Sequence, residues 1–122
     1  MREKAVRGNL GENLVAGILD VLGFEVDFVD ASGIDLMCYG TEENKVYGVS
    51  VKTREVERKG NSSINLTSND ILYPEKSTKI RNKNAEVLYA FVVYSFSEID
   101  VLICTQKYVY EKVGINVAPL SA

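Results

Sequence analysis

The chain has no histidine and no tryptophan among its 122 residues, and only two cysteines, two prolines and two methionines. Without histidine there is no Ser-His-Asp or Cys-His nucleophile and no histidine-held zinc. An enzyme built from this sequence works with carboxylates, lysines, hydroxyls and a hard cation. Cys38 and Cys104 lie far apart inside apolar runs, where reduced core thiols are expected. A thiolate metal site would need further soft ligands that the chain lacks. Apolar runs such as Val87 to Tyr94 are far too short to span a bilayer. The opening "MREKAVRGNLGEN" is positively charged with no apolar core behind it, so no signal peptide and a cytoplasmic location are expected.

What is present suits one globular domain over residues 1–122, with 46% hydrophobic and 25% charged residues. The net charge of −3 is unevenly spread. Residues 1–51 carry 4 basic and 9 acidic side chains, residues 52–83 carry 8 and 4, and residues 84–122 carry 2 and 4. A basic middle in an acidic chain can meet phosphate, and Arg54, Arg58, Lys59, Lys76, Lys79 and Arg81 are the candidate contacts. A solvated polar segment would have the same composition.

Leu10, Leu14, Ile18 and Leu22 recur at i+4, with Val15 and Leu19 beside them, and predict a helix over residues 3–22, stopped by Gly23. Strands are predicted at Phe24–Val29, at "IDLMCYG" and at "KVYGVSVKTR", the last two as a hairpin. A polar loop follows, and "INLT" can add a short strand. "SNDILYPEKSTKIRN" is a weak helix, with Ser68 as a candidate cap and Pro74 interrupting it. "AEVLYAFVVYSF" suits a strand buried on both faces. "IDVLICT" is another strand, and "QKYVYEKVG" closes as a short helix before Gly114. The class is therefore α/β, a central mixed β-sheet flanked by helices.

Side chains alternate across a strand, so Ser50 and Lys52 share a face, and Asp35 shares one with Met37 and Tyr39. Hairpin pairing would bring Asp35 near Ser50 and Lys52. Charges on a half-buried strand face are usually paired or hold a ligand. Glu12, on the first helix, lies off the centre of its apolar stripe and can point toward Asp35. Two carboxylates and a strand carbonyl, that of Val51, can hold Mg²⁺ or Mn²⁺. Such an ion polarises a phosphodiester and acidifies a bound water, and a lysine beside it offsets developing charge. Each residue also has an ordinary explanation. Glu12 would be a solvated helix acid, Asp35 a turn-adjacent acid holding backbone amides, and Lys52 an edge lysine that guards against aggregation.

The pieces "GENLVAGILDVLGFEV", "GIDLM" and "VSVKTR" resemble the PD-(D/E)XK nuclease superfamily, which includes restriction endonucleases and archaeal-type Holliday junction resolvases. The likeness covers roughly residues 8–54 by motif. It implies a restriction endonuclease-like αβββαβ core, with Glu12 as the helix acid, Asp35 as the central metal ligand and Lys52 as the catalytic lysine. Ile34 stands where the family has proline, and Ser50 where it has an acid two residues before the lysine. In a subgroup with Ser-x-Lys the second acid comes from a later helix, which makes Asp70 and Glu75 candidates here. The implied function is Mg²⁺-dependent hydrolysis of phosphodiester bonds in DNA by a small, homodimeric endonuclease. The alternative is a catalytically degenerate module that binds nucleic acid or a protein partner. The apolar Val87–Phe96 run and the tyrosines of the last helix are candidate dimer surfaces.

Overall fold

The computed structural model describes residues 2–31, 33–40, 44–55 and 68–113, with the backbone alone for residues 2–8, 30, 31, 68, 72, 112 and 113, so the candidate Ser68 cap lies outside the described side chains. Helix α1 (Arg2–Val21) leads into strands β1 (Phe24–Ala31), β2 (Ile34–Gly40) and β3 (Val46–Glu55). Helix α2 (Ser68–Arg81), strands β4 (Glu86–Tyr94) and β5 (Ile99–Thr105), and helix α3 (Gln106–Val113) follow. The expected "INLT" strand, Arg58, Lys59 and Gly114 lie outside the described residues. Among the described residues no helix is long and apolar enough to cross a membrane.

The five strands form one mixed sheet in chain order, β1-β2-β3-β4-β5. The pairs β1–β2, β2–β3 and β4–β5 are antiparallel, and β3–β4 is parallel. A parallel neighbour cannot be reached by a tight turn, so α2 serves as the crossover. The sheet is apolar on both sides. Leu36, Cys38, Val49, Ala90 and Val92 pack with Val15, Ala16 and Leu19 of α1. On the other side Val87, Tyr89 and Cys104 pack with Ile71 of α2 and Val109 of α3. Cys38 and Cys104 are therefore free, buried thiols on opposite sides of the sheet. Burial pushes each up to about 11.

Two expectations change. The i+4 series does not mark the face of α1 that meets the sheet, since Leu10 and Leu22 are 40% and 66% exposed. Val15 and Leu19, read beside that series, are buried together with Ala16, and Gly11 lies with them. Residues 9–22 are apolar nearly all round, so periodicity could not choose between two faces. As a candidate dimer surface, the Val87–Phe96 run is largely interior up to Tyr94, while Phe96 beyond the strand is exposed. Its strand β4 is paired on both sides, with Val87, Tyr89, Ala90 and Val92 buried.

Pro74 does not break α2, which continues to Arg81. It removes one backbone donor, but its ring is fully buried, and packing outweighs the lost hydrogen bond. Gly33 is what Pro74 rests beside. It has φ +83°, a conformation that non-glycine residues rarely adopt, and a side chain there would come within 2.6 Å of the Pro74 nitrogen. The β1–β2 turn thus lies directly against the α2 backbone, two residues before Asp35.

Candidate functional site

The β2–β3 ladder runs from Tyr39↔Val46 to Leu36↔Val49 and then ends. Beyond it the strands part, and the carboxylate of Asp35 enters the fork. Its Oδ2 accepts the Val51 amide N–H at 2.8 Å. The N–H and C=O of one strand residue point to the same edge, as paired antiparallel residues show by exchanging both bonds. The Val51 carbonyl therefore opens toward the same fork as Asp35. This is how β3 presents a main-chain oxygen beside a carboxylate.

Asp35, Ser50 and Lys52 share the α2 side of the sheet, because Met37 stands opposite Gly48 and both strands alternate. Lys52 lies on a central strand, with Phe91 beside it on β4, so it guards no edge. Its ammonium donates to Asp70 Oδ1 at 2.9 Å, with the two side chains 36% and 24% exposed. Asp70 opens α2, and the crossover returns that helix end to the C-terminal part of β3. Ser50 is buried.

Burial holds the Asp35 carboxyl above the usual carboxylate range, although the Val51 amide and the Lys52 charge both act to lower it. Glu12 is also raised, first by burial and then by the charge of Asp35. The charge of Asp35 therefore disfavours ionisation of Glu12. Gly11 explains how α1 comes so close to β3. A Cβ there would land on Thr53 Oγ1 and sit 3.4 Å from Val51 Cγ1. The glycine lets the helix lie on β3 at the fork and brings the next residue, Glu12, toward it.

The other candidates do not gather here. Glu75 is half-buried on α2, and its charge is one of the smaller causes that raise the Tyr89 hydroxyl after burial. Helix α2 runs away from the fork, so Arg81 stands about 16 Å beyond Asp70 along the helix axis. Lys79 is engaged at that far end, where its ammonium donates to the Ala85 carbonyl at 2.6 Å. Lys76 and Arg81 are exposed on the same receding helix. Of the described basic candidates, only Arg54 follows Lys52 along β3, and it is exposed. The pairing of Lys52 with Asp70 bridges 18 residues and had no spacing signal in the sequence.

Among the described residues no three acidic or cysteine side chains gather closely enough to hold a metal ion. At the fork Asp35 and the Val51 main-chain oxygen could hold an ion, with Glu12 as the carboxylate on which the Asp35 charge acts. This set suits a hard cation that keeps part of its water shell, and a positive ion offsets the charge of Asp35 on Glu12. Comparisons with family models, with curated proteins and with solved structures find no match to this chain.

Proposed function

We propose that the protein is a Mg²⁺-dependent nuclease of the PD-(D/E)XK type, with a restriction endonuclease-like core, acting on phosphodiester bonds in DNA. One observation carries the reading: Asp35 fills the β2–β3 fork, held by the Val51 amide, with Lys52 next on the strand; the Asp35 charge also acts on Glu12. Asp35, Glu12 and the Val51 carbonyl would hold the ion. When bound, Mg²⁺ polarises the phosphodiester and makes its water more acidic. Lys52 places a positive charge where negative charge grows on the phosphate, and a part-buried setting strengthens that attraction. Asp70 fixes the Lys52 ammonium in place. Arg54 offers the next contact for phosphate along the strand.

The test is cleavage of linear, branched and single-stranded DNA with Mg²⁺ or Mn²⁺, with Lys52→Met as control. Cleavage that needs the ion and is lost in the variant supports the reading. No cleavage of any substrate, together with no calorimetric Mg²⁺ or Mn²⁺ site, refutes it.

A second reading is a nuclease-like fold that binds without cutting. Ser50 favours it, because a buried hydroxyl stands where an acid would add charge to the metal site. In that case Asp35→Ala leaves nucleic-acid binding unchanged. If the fold has instead come to bind protein, DNA binding is weak and insensitive to salt.

A further inference from the structure

The α2 side of the sheet is covered toward one end. There Ile71 of α2 and Val109 of α3 close over Val87, Tyr89 and Cys104. Farther along, the register places Lys52, Phe91 and Leu102 side by side across β3, β4 and β5. Arg54, Val93 and Asp100 form the next row on the same face. Phe91 is only partly buried and Leu102 is 49% exposed. An aromatic and an apolar side chain thus lie open beside Lys52, the residue read above as meeting phosphate. Phe91 is also held as a rigid plate. Its ring is parallel to that of fully buried Tyr89, with 8° between the planes and 6.4 Å between the centroids. That spacing is close to the roughly 6.6 Å two-residue repeat of a strand, so the rings stack along β4. One face of Phe91 turns toward Tyr89, and the other turns toward Val93 at the less covered end.

We infer that the free face of Phe91 receives an unpaired base of the substrate, which makes the substrate class single-stranded or locally unpaired DNA. Phosphate and base belong to one nucleotide. A phosphate held at Lys52 brings its base within reach of the neighbouring strand, whose backbone is about 5 Å away. The bases of a duplex are paired and stacked on one another and cannot lie on a sheet, whereas those of a single strand can. An aromatic plate beside cationic side chains is how proteins hold single strands with little regard to sequence.

The charges around the plate agree with that orientation. Lys52 and Arg54 follow one another on β3, and the Lys52 ammonium has three donors, of which Asp70 takes one. On the β5 side stands the exposed carboxylate of Asp100, which repels a phosphate but accepts a hydrogen bond from a base amine. The backbone of the strand is therefore favoured over β3, and the base over β4 and β5. The inference rests on the reading of the fork as a phosphate site, and it adds the form of the strand, which the fork does not decide.

The test is binding of labelled DNA by fluorescence anisotropy, with Ca²⁺ in place of Mg²⁺. Three probes of equal length are compared: a single strand, the same strand with abasic residues, and a hairpin duplex. The single strand should bind at least about tenfold tighter than either of the others. Phe91→Leu keeps an apolar side chain but removes the ring, and should erase most of that margin without changing the abasic strand. Phe28→Leu, exposed on β1 and on the α1 side of the sheet, should change nothing. The chain has no tryptophan, so Leu102→Trp supplies a single reporter at a half-exposed position, and it serves even if Phe91→Leu fails to fold. The introduced indole should be quenched by the single strand and not by the abasic one. Equal affinity for all three probes overturns the inference and leaves the nuclease reading to its own cleavage test. Base-dependent binding that Phe91→Leu removes, without cleavage in Mg²⁺ or Mn²⁺, supports the inference and counts against the nuclease. A margin that survives Phe91→Leu, an indole that no strand quenches, or no binding to any probe overturns it.

Discussion

The contact between Gly33 and Pro74 allows a quantitative test of how α2 is seated. Replacing Gly33 by alanine has two costs. An L-residue at φ +83° loses about 1–2 kcal/mol in the left-handed region. The new Cβ would also lie 2.6 Å from the Pro74 nitrogen and 2.7 Å from the Tyr73 carbonyl carbon. Both are backbone atoms and cannot swing aside, so α2 must retreat, at a further cost of about 1–3 kcal/mol. The sum is about 2–5 kcal/mol. At roughly 4 °C per kcal/mol for a domain of this size, Tm should fall by about 8–20 °C. Gly17→Ala is the internal control. It lies in the interior of α1 with open space at its Cβ, and should raise stability by about 0.5–1 kcal/mol. Gly33→Asn separates the two costs, because asparagine tolerates the left-handed region but keeps the Cβ. It should recover part of the backbone cost and none of the contact cost. Urea and thermal melts of the three variants provide the comparison. A Gly33→Ala protein within about 1 kcal/mol of wild type would show that α2 does not rest on this turn.

Other outcomes follow from the same geometry. Lys52→Met should reduce Mg²⁺-dependent cleavage at least about a hundredfold. It should cost no more than about 1 kcal/mol in stability, because the pair with Asp70 is part-exposed; a larger loss in a urea melt would count against this account. Asp35→Asn should melt higher than wild type at neutral pH without metal, because the raised carboxyl of Asp35 makes its ionised form unfavourable in the fold. The favourable contribution of the protonated Asp35 carboxyl is present below its unfolded value and lost as pH rises through the raised one, so the difference should close on acidification. The variant should also show no Mg²⁺-induced rise in Tm. Cys38 and Cys104 lie at about 11 in the fold against 9.0 ordinarily, so their contribution is intact below pH 9.0 and lost as pH rises toward 11. Alkaline melts should weaken over that window, and Cys38→Val should weaken less.

Much of the sheet could be read from alternation. The strand from Ile34 to Gly40 and the shared face of Ser50 and Lys52 follow from period two alone, and the hairpin register then sets Asp35 toward the same face. Lys52 was ambiguous only because strand order decides between edge and centre, and order depends on the crossover. The sheet-facing side of α1 could not be read, because Leu10 and Leu22 look as apolar as Val15 and Leu19. α2 was weak in the sequence for a related reason. A helix with proline at its seventh residue is held by its packing on Gly33 and the sheet, not by its propensity. The partner of Lys52 was out of reach because it is set by a long crossover and by no local spacing.

The parallel β3–β4 ladder has a consequence for the order of assembly. The three antiparallel ladders join strands linked by short connections, whereas Tyr47 meets Glu86 across 39 residues of chain. Loop closure makes that joint the slow one. Glu12, Asp35, Val51 and Lys52 all belong to the segment that precedes it, α1 to β3, and Asp70 alone comes from the segment after. On a ribosome the carboxylates and the lysine can be in register before β4 has been made. The later half then docks as a second unit, and the closing of Asp70 onto Lys52 reports that docking.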